Sequence, residues 1–204
     1  MGRPVNREMI EAAVRLTGAR RSDYDLHPEY KWNLNADREL RAAAVLCPIV
    51  ERSSGLSVIL TQRPDTMKQH AGQIAFPGGK IDDGDDGPIG AALREAEEEI
   101  GLSSDVAEVI GGIDPYETGT GFRVEPIVAM IDPGFVPRPD PHEVADVFET
   151  PLDFLMDPAN MRTDSAVWKG KKRLYYAIPW EGRYIWGATA GMLKSLADRV
   201  AALS

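Results

Sequence analysis

Phe76-Pro77-Gly78-Gly79-Lys80-Ile81-Asp82-Asp83-Gly84-Asp85-Asp86-Gly87 runs straight into Pro88-Ile89-Gly90-Ala91-Ala92-Leu93-Arg94-Glu95-Ala96-Glu97-Glu98-Glu99-Ile100-Gly101-Leu102. The second half predicts a helix over 88–100. Pro88 suits the first helical position, and Gly101 suits a left-handed end. Ile89, Ala92, Leu93, Ala96 and Ile100 recur at offsets of three and four and make one apolar stripe. The polar face holds Arg94, Glu95, Glu98 and Glu99. At about 100° per residue, Glu95 stands one turn from Glu98 and Glu99. Like charges at that spacing mildly destabilise a helix, and a cation between them removes the cost. Hard divalent ions take carboxylate oxygens, and Mg²⁺ typically keeps waters and substrate phosphates as further ligands. The glycines before the helix allow close approach of the backbone to a ligand, and a loop entering a helix can present N–H groups to an anion. The Asp/Gly run does not make an EF-hand loop. A start at Asp82 puts Gly84 at position 3 and Leu93 at 12, and a start at Asp83 puts Pro88 at 6 and Arg94 at 12.

Outward from this stretch, 41–51 and 57–63 read as strands joined by the turn Ser53-Ser54-Gly55. Strand patterns return at 106–112 and 123–131. The stretch 132–141 holds four prolines and reads as a loop. A short helix is expected near 150–157, a strand at 173–178 and an amphipathic helix at 187–202. At the N-terminal end, Met9, Ile10, Ala13, Val14 and Leu16 have helical spacing within 7–18, and 19–40 is polar and irregular. The expected organisation is an N-terminal extension, 1–40, carrying a short helix, and one mixed α/β domain, 41–204.

The length of 204 residues suits one domain with trimmings. With 23 Lys+Arg against 32 Asp+Glu, the net charge is −9. Such a chain is a poor candidate for sequence-independent nucleic-acid or membrane-surface binding, which needs clustered cations. An anionic substrate stays open if a divalent cation supplies local positive charge. The one cysteine, Cys47, excludes a disulfide scaffold, favours a cytoplasmic location and sits in an apolar run as packing. No run approaches the ~20 apolar residues of a membrane span, and the N-terminus has no apolar signal-peptide core.

These residues resemble the Nudix box, G-x5-E-x7-R-E-U-x-E-E-x-G-U with U apolar. Arg94 to Leu102 match its second half in full. The first half departs: Asp85 stands for Glu, and eight residues rather than seven precede Arg94. That one-residue insertion is a feature of the coenzyme A pyrophosphatase subgroup, whose upstream pattern L-L-T-x-R-x-x-x-L-x-x-H-x-G-Q resembles Ile59 to Gln73, with Met67 for Leu. Asp114-Pro115-Tyr116, Gly121-Phe122, His142-Glu143-Val144, Pro151-Leu152 and Gly187-Ala188-Thr189-Ala190 also look like that subgroup. The resemblance spans about residues 40–195.

The resemblance implies an α/β/α sandwich around a mixed sheet. It also implies Mg²⁺- or Mn²⁺-dependent hydrolysis of the pyrophosphate in coenzyme A or an acyl-CoA, giving 3′,5′-ADP and (acyl-)4′-phosphopantetheine. Glu95 and Glu99 become the principal metal ligands, with Glu98 at the metals or acting on the water. Arg94 holds the loop through a box carboxylate, since its planar fork suits carboxylates. Glu143 is the candidate extra carboxylate, as ligand or general base, with Glu117 competing. Arg63 and Lys68 are candidate phosphate contacts, His70 and Gln73 candidate CoA contacts, and Gly78 and Gly79 the backbone cradle. The expected partner is a small nucleotide substrate, with a homodimer possible. Two other readings compete: a Nudix hydrolase of ADP-ribose or another nucleoside diphosphate derivative, and an inactive Nudix fold used as a binding module. No G-x-x-x-x-G-K-[ST], H-E-x-x-H or G-x-S-x-G motif points elsewhere.

Overall fold

The computed structural model describes residues 4–27, 39–66, 70–168 and 170–203. Lys68 lies outside them. In chain order the elements are α1 (Arg7–Arg15), β1 (Arg21–Ser22), β2 (Arg41–Arg52), β3 (Gly55–Gln62), β4 (Ile74–Ala75), β5 (Gly78–Lys80), α2 (Gly87–Ile100), β6 (Ala107–Gly112), β7 (Tyr116–Glu117), β8 (Phe122–Ile131), β9 (Asp146–Pro151), α3 (Leu152–Met156), β10 (Arg162–Trp168), β11 (Lys171–Trp180), β12 (Arg183–Trp186) and α4 (Ala188–Ala201).

β2 is the axis of the fold. It pairs in parallel with β8 along ten residues and antiparallel with β3 and β5 on its other side. β9 extends the sheet beyond β3, while β6, β7 and β1 extend it beyond β8, so nine strands form one mixed sheet. Successive side chains of a strand point to opposite faces, and β2 shows the result. Ala43, Cys47 and Ile49 join the apolar cluster containing α1, α3 and α4, whereas Ala44, Leu46 and Val50 join the cluster beneath α2. Both faces of β2 are therefore core, and the architecture is the expected α/β/α sandwich around a mixed sheet. Cys47 is 1% exposed, and burial pushes its thiol up to about 12, which makes it inert packing.

The structure contains more strand than the sequence pattern suggests. β5 forms inside the expected 77–87 loop, a strand (β9) precedes the short helix near 152, and β10 and β12 flank β11 in a separate three-stranded antiparallel sheet.

Among the described N-terminal residues, β1 joins the large sheet and His27 bonds to the small one. Asn6 caps α1 by accepting the Met9 N–H at 3.0 Å. The other end of α1 is closed by Arg199 of α4, which donates to the carbonyls of Ala13 and Leu16 at 3.1 and 2.6 Å and pairs with buried Asp114 at 2.6 Å. Ser195 donates to the same carboxylate at 2.7 Å. Further on, β1 runs parallel to β7, and Asp23 accepts the Gly119 N–H at 2.7 Å and the Tyr116 hydroxyl at 2.9 Å. His27 then accepts the Leu174 N–H of β11 at 2.6 Å. Residues 21–27 thus tie the large sheet to the small one.

Candidate active site

The helix α2 lies against the sheet through alanines. Its buried residues are Ala91, Ala92, Ala96, Glu99 and Ile100, while Ile89, expected on the apolar stripe, is 46% exposed. Small side chains bring the helix backbone close to β2 and β5, so the helix turns Glu99 inward rather than Ile89. Gly101 ends the helix at φ 69°, and the returning Leu102 N–H reaches the Ala96 carbonyl at 3.2 Å. Two carbonyls of the last turn are taken by the proline-rich loop: Asp140 N–H donates to Glu99 O at 2.9 Å and Arg138 N–H to Ile100 O at 2.8 Å. Asp140 in turn accepts from the His142, Glu143 and Val144 backbone N–H groups. The end of the glutamate helix therefore sets the path of the loop that carries Glu143.

Arg94 organises the other side. Its Nε and Nη2 grip Asp85 at 2.8 and 3.1 Å, its Nη2 also reaches the Lys80 carbonyl at 3.1 Å, and its Nη1 donates to Glu95 and Glu98 at 3.0 and 3.1 Å. Asp85 also accepts the Asp82 N–H at 2.8 Å, and Arg94 with that N–H holds its carboxyl below the usual carboxylate range. The residue at which the box departs from Glu is thus the bidentate partner of Arg94. Its shorter side chain works because the loop turns back at Asp82.

Glu99 is 4% exposed. Burial pushes its carboxyl up to about 8; Arg63 and the Gly78 N–H pull it down, while Glu95 and Glu143 push it further up. Burial also raises Glu95, opposed by Arg94 and reinforced by Glu98 and Glu143. Glu95 and Glu143 thus act on Glu99 with its own sign of charge, and Arg63 acts on it with the opposite sign. The Nε of Arg63 is buried and has no hydrogen-bond partner among the described residues. His70, at φ 58°, meets Gln73 through Nδ1 at 2.7 Å, and the Gln73 carbonyl accepts the Arg63 N–H at 3.0 Å. That pair is exposed at His70, and its hydrogen bonds go to each other and to Arg63 rather than to the glutamates. Glu117 sits in β7 and pairs with Arg20.

As the side chains lie, no three carboxylate, imidazole or thiol groups among the described residues are gathered into a cage for an ion. Glu95 and Glu98 lean on Arg94, and Glu99 turns to Gly78. The donor set still fits a hard divalent cation: oxygen-only, carrying an almost fully buried carboxylate whose neighbours are mostly of its own sign. Gly79 supports that fit. A Cβ on Gly79 would fall inside the carboxyl group of Glu95, so only glycine leaves Glu95 its place. Gly79→Ala is expected to keep the thermal midpoint within about 3 °C of wild type, since a flexible side-chain end can yield, and to weaken Mn²⁺ binding by about tenfold or more. Calorimetric titration with Mn²⁺ showing unchanged affinity would remove Glu95 from the ligand set.

The acidic face of α2, with Arg94, Glu95, Glu98 and Glu99, follows the glycine-bearing loop as in the Nudix box. The family model for the NUDIX domain matches residues 40–171, well over half of the chain, and the chain belongs to that family. It is a Nudix pyrophosphohydrolase, and the family as a whole uses divalent cations. A relative from Escherichia coli K12, "Uncharacterized Nudix hydrolase NudL", is 41% identical over 160 residues, which are 78% of this chain and 83% of the relative. Among solved structures, the binary complex of the C. elegans Ap4A hydrolase is similar at 20% identity and a TM-score of 0.48, covering 54% of this chain and 80% of that one. The NUDIX domain of Shewanella oneidensis NrtR complexed with ADP ribose is similar at 19% identity and a TM-score of 0.43, covering 62% and 83%. Among the described residues, no helix is long and apolar enough to cross a membrane.

Proposed function

We propose that the bond cut is the pyrophosphate of coenzyme A or an acyl-CoA, giving 3′,5′-ADP and (acyl-)4′-phosphopantetheine. The observation that carries this reading is the segment Ile59 to Gln73 with its junction to Phe76-Pro77-Gly78-Gly79. Arg63 of that segment pulls the Glu99 carboxyl down, and Gly78 and Gly79 at the junction lie against Glu99 and Glu95. We take Glu95, Glu98 and Glu99 as the holders of Mg²⁺ or Mn²⁺. The bound cation supplies charge neutralisation on the phosphate oxygens and a lowered pKa for the attacking water. Glu98 and Glu143 are assigned to orient that water and accept its proton. Arg94 keeps the loop and two of the glutamates in register, and Arg63, whose buried Nε has no hydrogen-bond partner among the described residues, is assigned to a phosphate of the substrate. His70, Gln73 and Lys68 are assigned to the CoA moiety. We take residues 41–204 as the hydrolase unit and 1–40 as an extension fastened onto it. One buried cysteine is in keeping with the cytoplasm.

Incubation with CoA and Mn²⁺, with products resolved by chromatography, is expected to yield 3′,5′-ADP. Intact CoA alongside cleaved ADP-ribose would move the protein to another Nudix substrate class. No cleavage of either, with or without metal, would leave a binding module.

A further inference from the structure

We propose that Arg183, on the small sheet, is a positioning residue for Glu143: it fixes the strand end at which the Glu143 loop rejoins the large sheet. The inference rests on the role given to Glu143 above. That side chain is exposed, so its place is set by the backbone on either side. The upstream anchor is Asp140, whose N–H is bonded to the Glu99 carbonyl at the end of α2 and whose carbonyl accepts the Glu143 and Val144 N–H groups. Downstream, Val144 is 3% exposed, and the Ala145 N–H donates to the Gln62 carbonyl at 2.8 Å. Asp146 then opens β9, opposite Gln62 of β3.

Arg183 acts at that downstream junction. It stands in β12, the strand beyond β11 in the small sheet. Its Nη2 donates to Asp146 Oδ2 at 2.8 Å, and its guanidinium carbon lies 4.2 Å from the centre of the Phe148 ring. Asp146 and Phe148 are two apart on one strand and share a face. One planar cation therefore holds both, the carboxylate through its edge and the ring through its flat side. Phe148 is packed into the core beneath α3 and α4 and gives the guanidinium a fixed platform. The Arg183 Nε is buried and has no hydrogen-bond partner among the described residues, so the ring and the carboxylate set the orientation of the head. With side chains 30% and 44% exposed, the Arg183–Asp146 pair contributes little to global stability. Its effect is on where the chain leaves the loop. A shift of about 1 Å in a reacting group costs up to about a hundredfold in rate.

A double-mutant cycle tests this on the full chain, with Mn²⁺ and whichever of CoA and ADP-ribose is cleaved, so the choice of substrate does not enter. Arg183→Met keeps an apolar contact with Phe148 and leaves Asp146 in solvent, and its melting temperature is expected within about 3 °C of wild type. Its kcat is expected to fall by about tenfold with KM changed by less than about twofold. In a Glu143→Gln background the same substitution changes kcat by less than about twofold, because the group it positions is already gone. Hydrogen exchange of the metal-free protein gives a second readout. The amides of Glu143, Val144 and Ala145 are expected to exchange about threefold or more faster in Arg183→Met, while those in the middle of α2 keep their wild-type rates. Wild-type kcat in Arg183→Met, rate losses that multiply in the double variant, or unchanged exchange of those three amides each overturn the proposal. Wild-type kcat in Glu143→Gln overturns the role of Glu143 and the proposal with it, and leaves the substrate assignment standing.

Discussion

Glu98→Gln is expected to lower kcat by about 10²- to 10⁴-fold, the range that general acid–base groups contribute, with the fold intact. The side chain is 55% exposed, and its one recorded polar partner among the described residues is Arg94 Nη1 at 3.1 Å, which an amide oxygen also satisfies. The substitution therefore removes a charge and a proton acceptor without removing shape. The kinetics separate the two roles left open for this residue. A base that acts on water leaves KM and the metal requirement near wild type, whereas a metal ligand raises the Mg²⁺ concentration needed for half-maximal rate. Near-wild-type turnover at saturating Mg²⁺ would sink the assignment altogether.

The largest effect on stability is expected at Arg199. Its side chain and that of Asp114 are 9% and 6% exposed, and the guanidinium serves the carboxylate and the last carbonyls of α1 together. Arg199→Met leaves a buried carboxylate without its counter-charge. Breaking such a pair costs about 3–5 kcal/mol, which for a chain of this length means a fall in melting temperature of roughly 10 °C. The pH dependence carries a sign. Burial opposes ionisation of Asp114, but hydrogen bonds from Arg199 and Ser195 outweigh it, and the carboxyl sits below its ordinary 3.8. A depressed folded-state pKa stabilises the wild type above that ordinary value, and the contribution is lost as pH falls through the folded-state value. The gap between wild type and Arg199→Met therefore narrows on acidification. Melting curves in which the variant falls by less than about 1 kcal/mol at neutral pH, or in which the gap widens in acid, would refute this account.

What was readable in the sequence followed from local periodicity. The glutamate helix announced itself through Pro88, Gly101 and an apolar stripe, and β2, β3 and β8 through unbroken apolar runs that a two-sided core demands. β10 was unreadable for the opposite reason. Arg162 to Trp168 are exposed on both faces, so no alternation marks them as a strand. β9 is legible only through its partner β3, some ninety residues earlier. At the site, glutamate spacing placed Glu95, Glu98 and Glu99 on one side of a helix. It did not distinguish Glu99, which the alanine contacts bury, from Glu98, which stays in solvent. The role of Asp85 was masked because the box pattern expects a longer side chain there. Asp140 was invisible, because it works through backbone hydrogen bonds to a loop whose path depends on where the helix ends.

The grip of Arg199 on α1 also has a timetable. The hydrogen bond from Arg199 to the Leu16 carbonyl spans 183 residues of chain. At a synthesis rate of about 5–20 residues per second, the first helix waits on the order of ten to forty seconds on the ribosome before its closing residue exists. A nine-residue helix is marginal alone in water. Throughout that interval Ile10 and Ala13, later fully buried, stay open to chaperones and proteases. The nascent protein is thus vulnerable at α1 until α4 has been made.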